Sequence, residues 1–284
     1  MTFSIVARSA DGRLHGVAVA SKFLAAGAYV PAAEADMGAL ATQAYVNLAY
    51  RPQGLALLRT GLSAAEVVAA LVATDEGRAQ RQLGVVGATG DGVTYTGAEC
   101  HDWAGGQGGP GWAVQGNILA GPHVLDAMRD AWLAGTEEQR FAERLVAALH
   151  AGDRAGGDRR GRQSAGLLVV GKGAGYGGTT DVVVDLRVDD HPDPVTELAR
   201  LLSVHVMLFE RPDPDTLLDL AGDLADEVGA RLAAAGQFSG GDLDHALASW
   251  AGIENLEERM VPGRIDPVVL AHLRSTTPDE VRLA

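Results

Sequence analysis

The first twenty-two residues constrain the fold more than any other stretch of this sequence. Phe3, Ile5 and Ala7 alternate with Ser4, Val6 and Arg8, the period of two that marks a half-buried strand. Asp11-Gly12 is a tight-turn pair. After it, Val17-Ala18-Val19-Ala20 reads as the returning strand and ends at Ser21-Lys22. The pattern predicts an antiparallel hairpin whose first residue is Thr2.

Two readings of Thr2 stand. Threonine is small enough for a methionine aminopeptidase to remove Met1, so Thr2 can be an ordinary processed start. The same residue would then carry a hydroxyl and a free α-amino group, a self-contained nucleophile and base. With a reference pKa of about 7.7–8.0, that amine takes a hydroxyl proton near neutral pH with no His-Asp relay.

Composition sets outer limits. A chain of 284 residues, 47% of them hydrophobic, can bury a full core and one appended small domain. Aromatic residues make up only 5% while Ala and Gly abound, which predicts closely packed layers rather than large aromatic clusters. No apolar run approaches the roughly 18 residues of a membrane span. The start lacks a basic region followed by an apolar core, so no signal peptide is expected. The single Cys100 rules out an internal disulfide framework. The cytoplasm is the expected compartment.

The net charge of −14 argues against nucleic acid as a partner. Phosphate binding needs clustered Lys and Arg, and Lys occurs only at positions 22 and 172. The stretch Arg159-Arg160-Gly161-Arg162 is too short to track a phosphate backbone. It is either a solvated loop or a carboxylate clamp, since guanidinium groups pair bidentately with carboxylates.

Along the chain, residues 37–43 read as a third strand and 51–74 as helical. Ser63-Ala64-Ala65-Glu66 is a capping-box pattern that starts a second helix. Residues 82–96 read as a hairpin. Residues 104–111 hold five glycines and a proline, too flexible for the interior of an element. Pro122 suits the first turn of a helix to about residue 133, and Thr136-Glu137-Glu138-Gln139 caps another that ends near Gly152. Residues 165–170 and 181–188 are strands. The glycine series Gly173 to Gly178 has dinucleotide-fingerprint spacing but leads into a strand, so it reads as a hairpin loop. Glu210 to Asp215 is a proline-interrupted linker. Beyond it, Leu217, Leu218, Leu220, Leu224 and Val228 suit one long amphipathic helix, followed by shorter ones near 242–250 and 267–273. Residues 211–284 carry six Arg against fourteen Asp and Glu, a net charge of −8.

The N-terminal hairpin resembles those of the N-terminal nucleophile (Ntn) hydrolases. In the threonine asparaginases the nucleophile is followed by Val-Ala and Asp-Gly at the offsets of Val6-Ala7 and Asp11-Gly12. More of the chain is similar to one bacterial branch, the domain-of-unknown-function family 1028. Among the matching blocks are Thr2 to Ala7, Val17 to Leu24, Ala41 to Ala44, Arg81 to Val86, Val114 to Leu119, Gly156 to Ala165 and Asp185 to Pro194, in that order. The segment from Asp242 to Pro267 resembles a peptidoglycan-binding appendage found in that family. A dimerisation or lid module is the simpler use for so acidic a segment.

The resemblance implies an α+β fold, a four-layer αββα sandwich over residues 1–205, then a linker at 206–215. A small acidic helical domain over 216–284 would complete the chain. It also implies an amidohydrolase cleaving a C–N bond of a small molecule or short peptide, with no cofactor. Thr2 would be the nucleophile, and Ala44 lies where the superfamily places a backbone oxyanion donor. Lys22 would lower the pKa of the Thr2 amine by charge repulsion. Ser21, Gln43, Asn117, Asp158, Arg162 and Ser164 are candidates to orient the amine or the substrate. The alternative is a non-catalytic binding or assembly protein on the same scaffold, and in either case a homo-oligomer, such as a dimer, is expected.

Three rival sites carry less weight. Gly178-Thr179-Thr180 has the form of an internal cleavage site, but the Val-Ala and Asp-Gly offsets do not follow Thr179. Asp189-Asp190-His191-Pro192-Asp193 invites a metal, yet no other histidine pairs with it. Cys100-His101 lacks a readable third group to orient a base. No metal site is expected.

Overall fold

The computed structural model describes residues 2–136 and 138–277. The chain divides into two compact units, Met1–Leu202 and Ser203–Ala284. In the first, β1 (Thr2–Arg8) and β2 (Leu14–Ser21) precede a one-turn helix α1 (Ala26–Tyr29), β3 (Pro31–Glu34) and β4 (Gly38–Ala44). Two helices follow, α2 (Tyr50–Arg59) and α3 (Ala64–Ala73), then β5 (Arg81–Gly87), β6 (Val93–Thr96), β7 (Gly105–Gly109) and β8 (Trp112–Asn117). Next come α4 (His123–Ala134), α5 (Phe141–Arg154), β9 (Ser164–Gly171), β10 (Val182–Val188) and α6 (Pro194–Phe209). The second unit holds β11 (Leu218–Asp219), α7 (Gly222–Ala234), α8 (Leu243–Ile253), β12 (Arg264–Ile265) and α9 (Pro267–Thr276).

The first unit is a mixed α/β fold of two antiparallel sheets. One sheet has the order β10-β9-β2-β1-β8-β7, the other β3-β4-β5-β6. Side-chain alternation decides how they meet. Val6, Val17, Val19 and Ala113 share one face of the larger sheet and pack with Ala39, Ala41 and Val86 of the smaller. These small and β-branched side chains let the two sheets approach closely. The opposite face of β1 and β2 carries Phe3, Ile5 and Ala18, all buried, and α5 lies against it. On the smaller sheet, Leu40, Leu83 and Val85 point outward into a cluster with Val67 and Leu71 of α3.

The Ser63 signal forms as expected. Its hydroxyl accepts from the Glu66 amide, and the Glu66 carboxylate accepts from the Ser63 amide. Ser63→Ala should therefore cost about 1 kcal/mol, read as a small drop in chemical-denaturation midpoint with an unchanged slope.

Several boundaries differ from expectation. The segment with five glycines is a strand after all: β7 pairs along β8 from Gly105↔Gly116 to Gly109↔Trp112. A Cβ on Gly108 would stand 2.1 Å from the Gly92 carbonyl oxygen, and one on Gly106 2.5 Å from the Thr94 hydroxyl. Close approach of backbone to backbone selects glycine there, and it outweighs the residue's poor intrinsic strand preference. The helix after Thr136 starts at Phe141, with Arg140 at its N-cap; Glu137 of the predicted cap lies outside the described residues. A short strand, β3, precedes the predicted third strand and pairs with it.

At the C-terminal side, α6 runs to Phe209 and so continues past residue 206, where a linker was expected. No single long helix starts at Leu217. Leu218 pairs with Ile265 in a two-stranded sheet, and α7 begins only at Gly222. The core of this unit gathers Val228, Leu232, Leu247, Trp250, Val269 and Leu273. Arg259 and Asp266 form a buried ion pair at 2.6 Å, and the same guanidinium donates to the Met207 and Val206 carbonyls.

His15, on β2 opposite Arg8, is wholly buried and neither ring nitrogen has a hydrogen-bond partner. Burial, helped by the Arg8 charge and opposed by the nearby Gly87 backbone and then by Asp36, holds its pKa down to about 4. The unfolded chain would take up a proton near pH 6.5 while the folded one would not. Stability should therefore be full above that pH, fall as pH drops toward 4, and lose about 3 kcal/mol in all. His15→Leu should flatten that part of the curve in urea titrations between pH 7 and 4.

Candidate functional site

Thr2 begins the fourth strand of a six-stranded sheet and has a partner on each side, Ser21 on β2 and Asn117 on β8. Direct cross-strand pairing puts these three side chains on one face. The Thr2 hydroxyl lies 3.0 Å from the Ser21 hydroxyl. From the facing sheet, Gln43 Nε2 donates to the Thr2 carbonyl at 3.2 Å.

Behind Thr2 lies a buried set of amides. Ser4 Oγ donates to Gln43 Oε1, and Gln115 Nε2 donates to Ser4 Oγ. Gln43 Nε2 also reaches Gln82 Oε1 at 2.9 Å, and Asn117 Nδ2 donates to the same oxygen at 2.8 Å. Gln82 Nε2 in turn donates to Thr96 Oγ1 and to the carbonyls of Gly105 and Gly116. The amides tie the two sheets together directly beneath the Thr2 strand end. Each is fully or almost fully buried, where an unmatched amide is costly, and Gln115 Oε1 has no hydrogen-bond partner.

Thr2 borders a cavity of about 360 Å³. Gln43 and Ala44 complete its polar end. Ala44, the last residue of β4, sits in the left-handed region at φ 68°, unusual for a residue with a Cβ. Such strain gathers where a fold must aim a backbone group. The cavity sides are Phe23, Tyr29 and Tyr45, with Val30 and Val46. Arg81 closes it, its Nε donating to Asp75 at 2.9 Å and its Nη1 to the Tyr45 carbonyl at 2.7 Å. Arg81, with Asn47 and Tyr50, holds the Asp75 carboxyl well below the usual carboxylate range.

The other predicted residues lie around this centre in different ways. Ser164 Oγ accepts from the Ala26 amide and donates to the Phe23 carbonyl, so it pins the loop that carries Phe23. Asp158 accepts from the amides of Lys22 and Arg160. Lys22 itself is exposed, and its ammonium donates to the Arg162 carbonyl at 3.2 Å. Arg162 grips Asp153 through Nε at 2.8 and 3.0 Å, so its carboxylate partner is internal. Neither Lys22 nor Arg162 lines the Thr2 cavity.

The rival sites stay apart. Thr179 is exposed, its hydroxyl bonded to the Tyr176 carbonyl. Cys100 is buried, which pushes its thiol pKa up, and its sulfur donates to the Arg81 carbonyl. His191 Nδ1 accepts from the Asp193 amide in the turn before α6. Among the described residues, no group of three His, Cys, Asp or Glu is placed to hold a metal. Nor is any helix among them long and apolar enough to cross a membrane.

Sequence reasoning passed over Ser4, Gln82 and Gln115, and the aromatic cavity wall. The local pattern hides the first three, because each has a polar neighbour two residues away: Thr2 for Ser4, Gln80 for Gln82 and Asn117 for Gln115.

A family model described as "Family of unknown function (DUF1028)" matches residues 2–198. The chain belongs to that family. A second model, described as "Putative peptidoglycan binding domain", matches residues 208–273. Among solved structures, a DUF1028 protein of Silicibacter pomeroyi, SPO2555, is 30% identical, with a TM-score of 0.65. That match covers 79% of this chain and 88% of the other. Anbu, the ancestral β-subunit from Yersinia bercovieri, is 13% identical over 73% of this chain and 98% of its own, with a TM-score of 0.33. None of the curated proteins compared matches the chain.

Proposed function

We propose that this DUF1028 protein is an amidohydrolase of the Ntn type, with Thr2 as nucleophile once its α-amino group is free. On this reading the two facing sheets and the helices against their outer faces form a four-layer αββα sandwich. The observation that carries the proposal is the meeting of three features at one cavity. They are a hydroxyl at the first position of a central strand, a left-handed Ala44 facing it, and a pocket large enough for a small molecule.

The reaction conserves every atom. Thr2 Oγ adds to the amide carbonyl carbon while the Thr2 amine, directly or through water, takes the hydroxyl proton. Backbone donors at the Ala44 turn stabilise the oxyanion. The C–N bond breaks as the leaving nitrogen receives that proton, leaving an ester on Thr2. Water then attacks the ester, releases the acid and restores the hydroxyl. Ser21 orients the Thr2 hydroxyl and Gln43 fixes the strand end by holding its carbonyl. Lys22, engaged with the Arg162 carbonyl, acts on the amine only as an outlying charge.

The test is intact mass followed by labelling with a β-lactone. Mass should show a chain beginning at Thr2, and the lactone should add its whole mass, through ring opening, to that residue. A retained Met1, or an adduct only at Thr179 or Cys100, would remove the basis for the proposal.

A further inference from the structure

The cavity beside Thr2 bears on what the protein acts on. Its walls are rings: Phe23 is 55% exposed and Tyr45 54%, with Phe23 and Tyr29 meeting edge to face at 5.9 Å between centroids. Exposed rings that converge on one concavity offer stacking faces to a ligand rather than to the core. Val30 and Val46 fill between them.

Charge among the side chains that line the cavity is matched internally. Arg81, the cation among its lining residues, presents its fork to Asp75 and the Tyr45 carbonyl. A ligand carboxylate would have to displace Asp75, whose ionised form is held by Arg81, Asn47, Tyr50 and the Gly77 amide. An ammonium would meet no carboxylate, because none of the lining residues is Asp or Glu. Burying either charge unpaired is expensive.

We infer that the Thr2 cavity takes amides bearing an uncharged aromatic group, not amides of charged amino acids. The inference rests on the hydrolase reading only for the words "acts on"; the binding preference stands by itself. It also separates this site from an asparaginase-like one, in which the substrate carries both an ammonium and a carboxylate.

The test has two arms on the full-length chain. In the first, phenylacetamide, acetamide and L-asparagine are titrated into Thr2→Ala, where no turnover intervenes. Phenylacetamide should bind at least tenfold more tightly than acetamide, and L-asparagine more weakly than either. Phe23→Ser and Tyr45→Ser added to that background should each remove most of the phenylacetamide advantage. In the second arm, a phenyl-substituted and an unsubstituted β-lactone compete for the native protein. The phenyl form should label Thr2 at least tenfold faster. Equal affinities, a preference for L-asparagine, or indifference to both serine substitutions overturns the inference. Ring-dependent binding with no lactone adduct at Thr2 sinks the nucleophile proposal and leaves the aromatic site standing. Adducts at Thr2 with no ring preference do the reverse.

Discussion

Thr2→Ala should reduce amide hydrolysis and lactone labelling by at least about 10³-fold, because nucleophile and base act as one unit. The fold should survive. Thr2 is buried, but the substitution deletes only a methyl group and one hydroxyl contact with Ser21. Removing that contact costs about 1 kcal/mol, or a few degrees of melting temperature for a unit of this size. Thr2→Ser should keep part of the activity, since hydroxyl and amine both remain. Circular dichroism and melting on the same samples separate lost chemistry from lost structure. If Thr2→Ala labels and hydrolyses like the native protein, the N-terminal nucleophile is wrong.

Gln82→Leu should have the largest effect on stability of any substitution near the site. The side chain fits by volume, but Leu cannot answer the carbonyls of Gly105 and Gly116 or the Asn117 amide, while Gln43 keeps its bond to the Thr2 carbonyl. Each buried group left without a partner costs about 1–3 kcal/mol, so the total should reach about 4 kcal/mol or more. The expected result is a large drop in denaturation midpoint together with weaker phenylacetamide binding, since Gln43 loses one of its fixed neighbours. A midpoint within about 1 kcal/mol of native would mean that water or repacking serves these groups.

What could be read from sequence was what local chemistry decides. The hairpin of β1 and β2, its Asp11-Gly12 turn and the Ser63 capping box depend on residues within a few positions of each other. The proximity of Thr2, Gln43 and Ala44 was legible only through family resemblance, as they lie on different sheets. Where distant parts meet, sequence reading went astray. The glycines of β7 look like a flexible loop until the carbonyl of Gly92 is placed against Gly108. The end of α6 looked like linker because Met207 and Leu208 pack on a core assembled some twenty to sixty residues later. Lys22 follows β2 as its place in the sequence predicts, and its ammonium donates to the Arg162 carbonyl, a partner that no local pattern announces. Gln82 and Gln115 gave no local sign that their side chains would join one buried network between the sheets.

The position of β1 has a consequence for how the protein comes off the ribosome. Its first neighbour, β2, emerges within a score of residues, but its second, β8, is more than a hundred residues away, and β9 must still close the far side of β2. Until about residue 117 has left the tunnel, β1 shows an open hydrogen-bonding edge with an apolar face, a template for wrong pairing. The cavity wall is anchored later still, when Ser164 arrives to hold Phe23. Synthesis thus orders events in time: the residue that opens β1 becomes part of a closed pocket only after Ser164 has been made. On the proposed nucleophile reading, the Thr2 hydroxyl and amine would thereby be kept apart from any bound substrate while the nascent protein is incomplete.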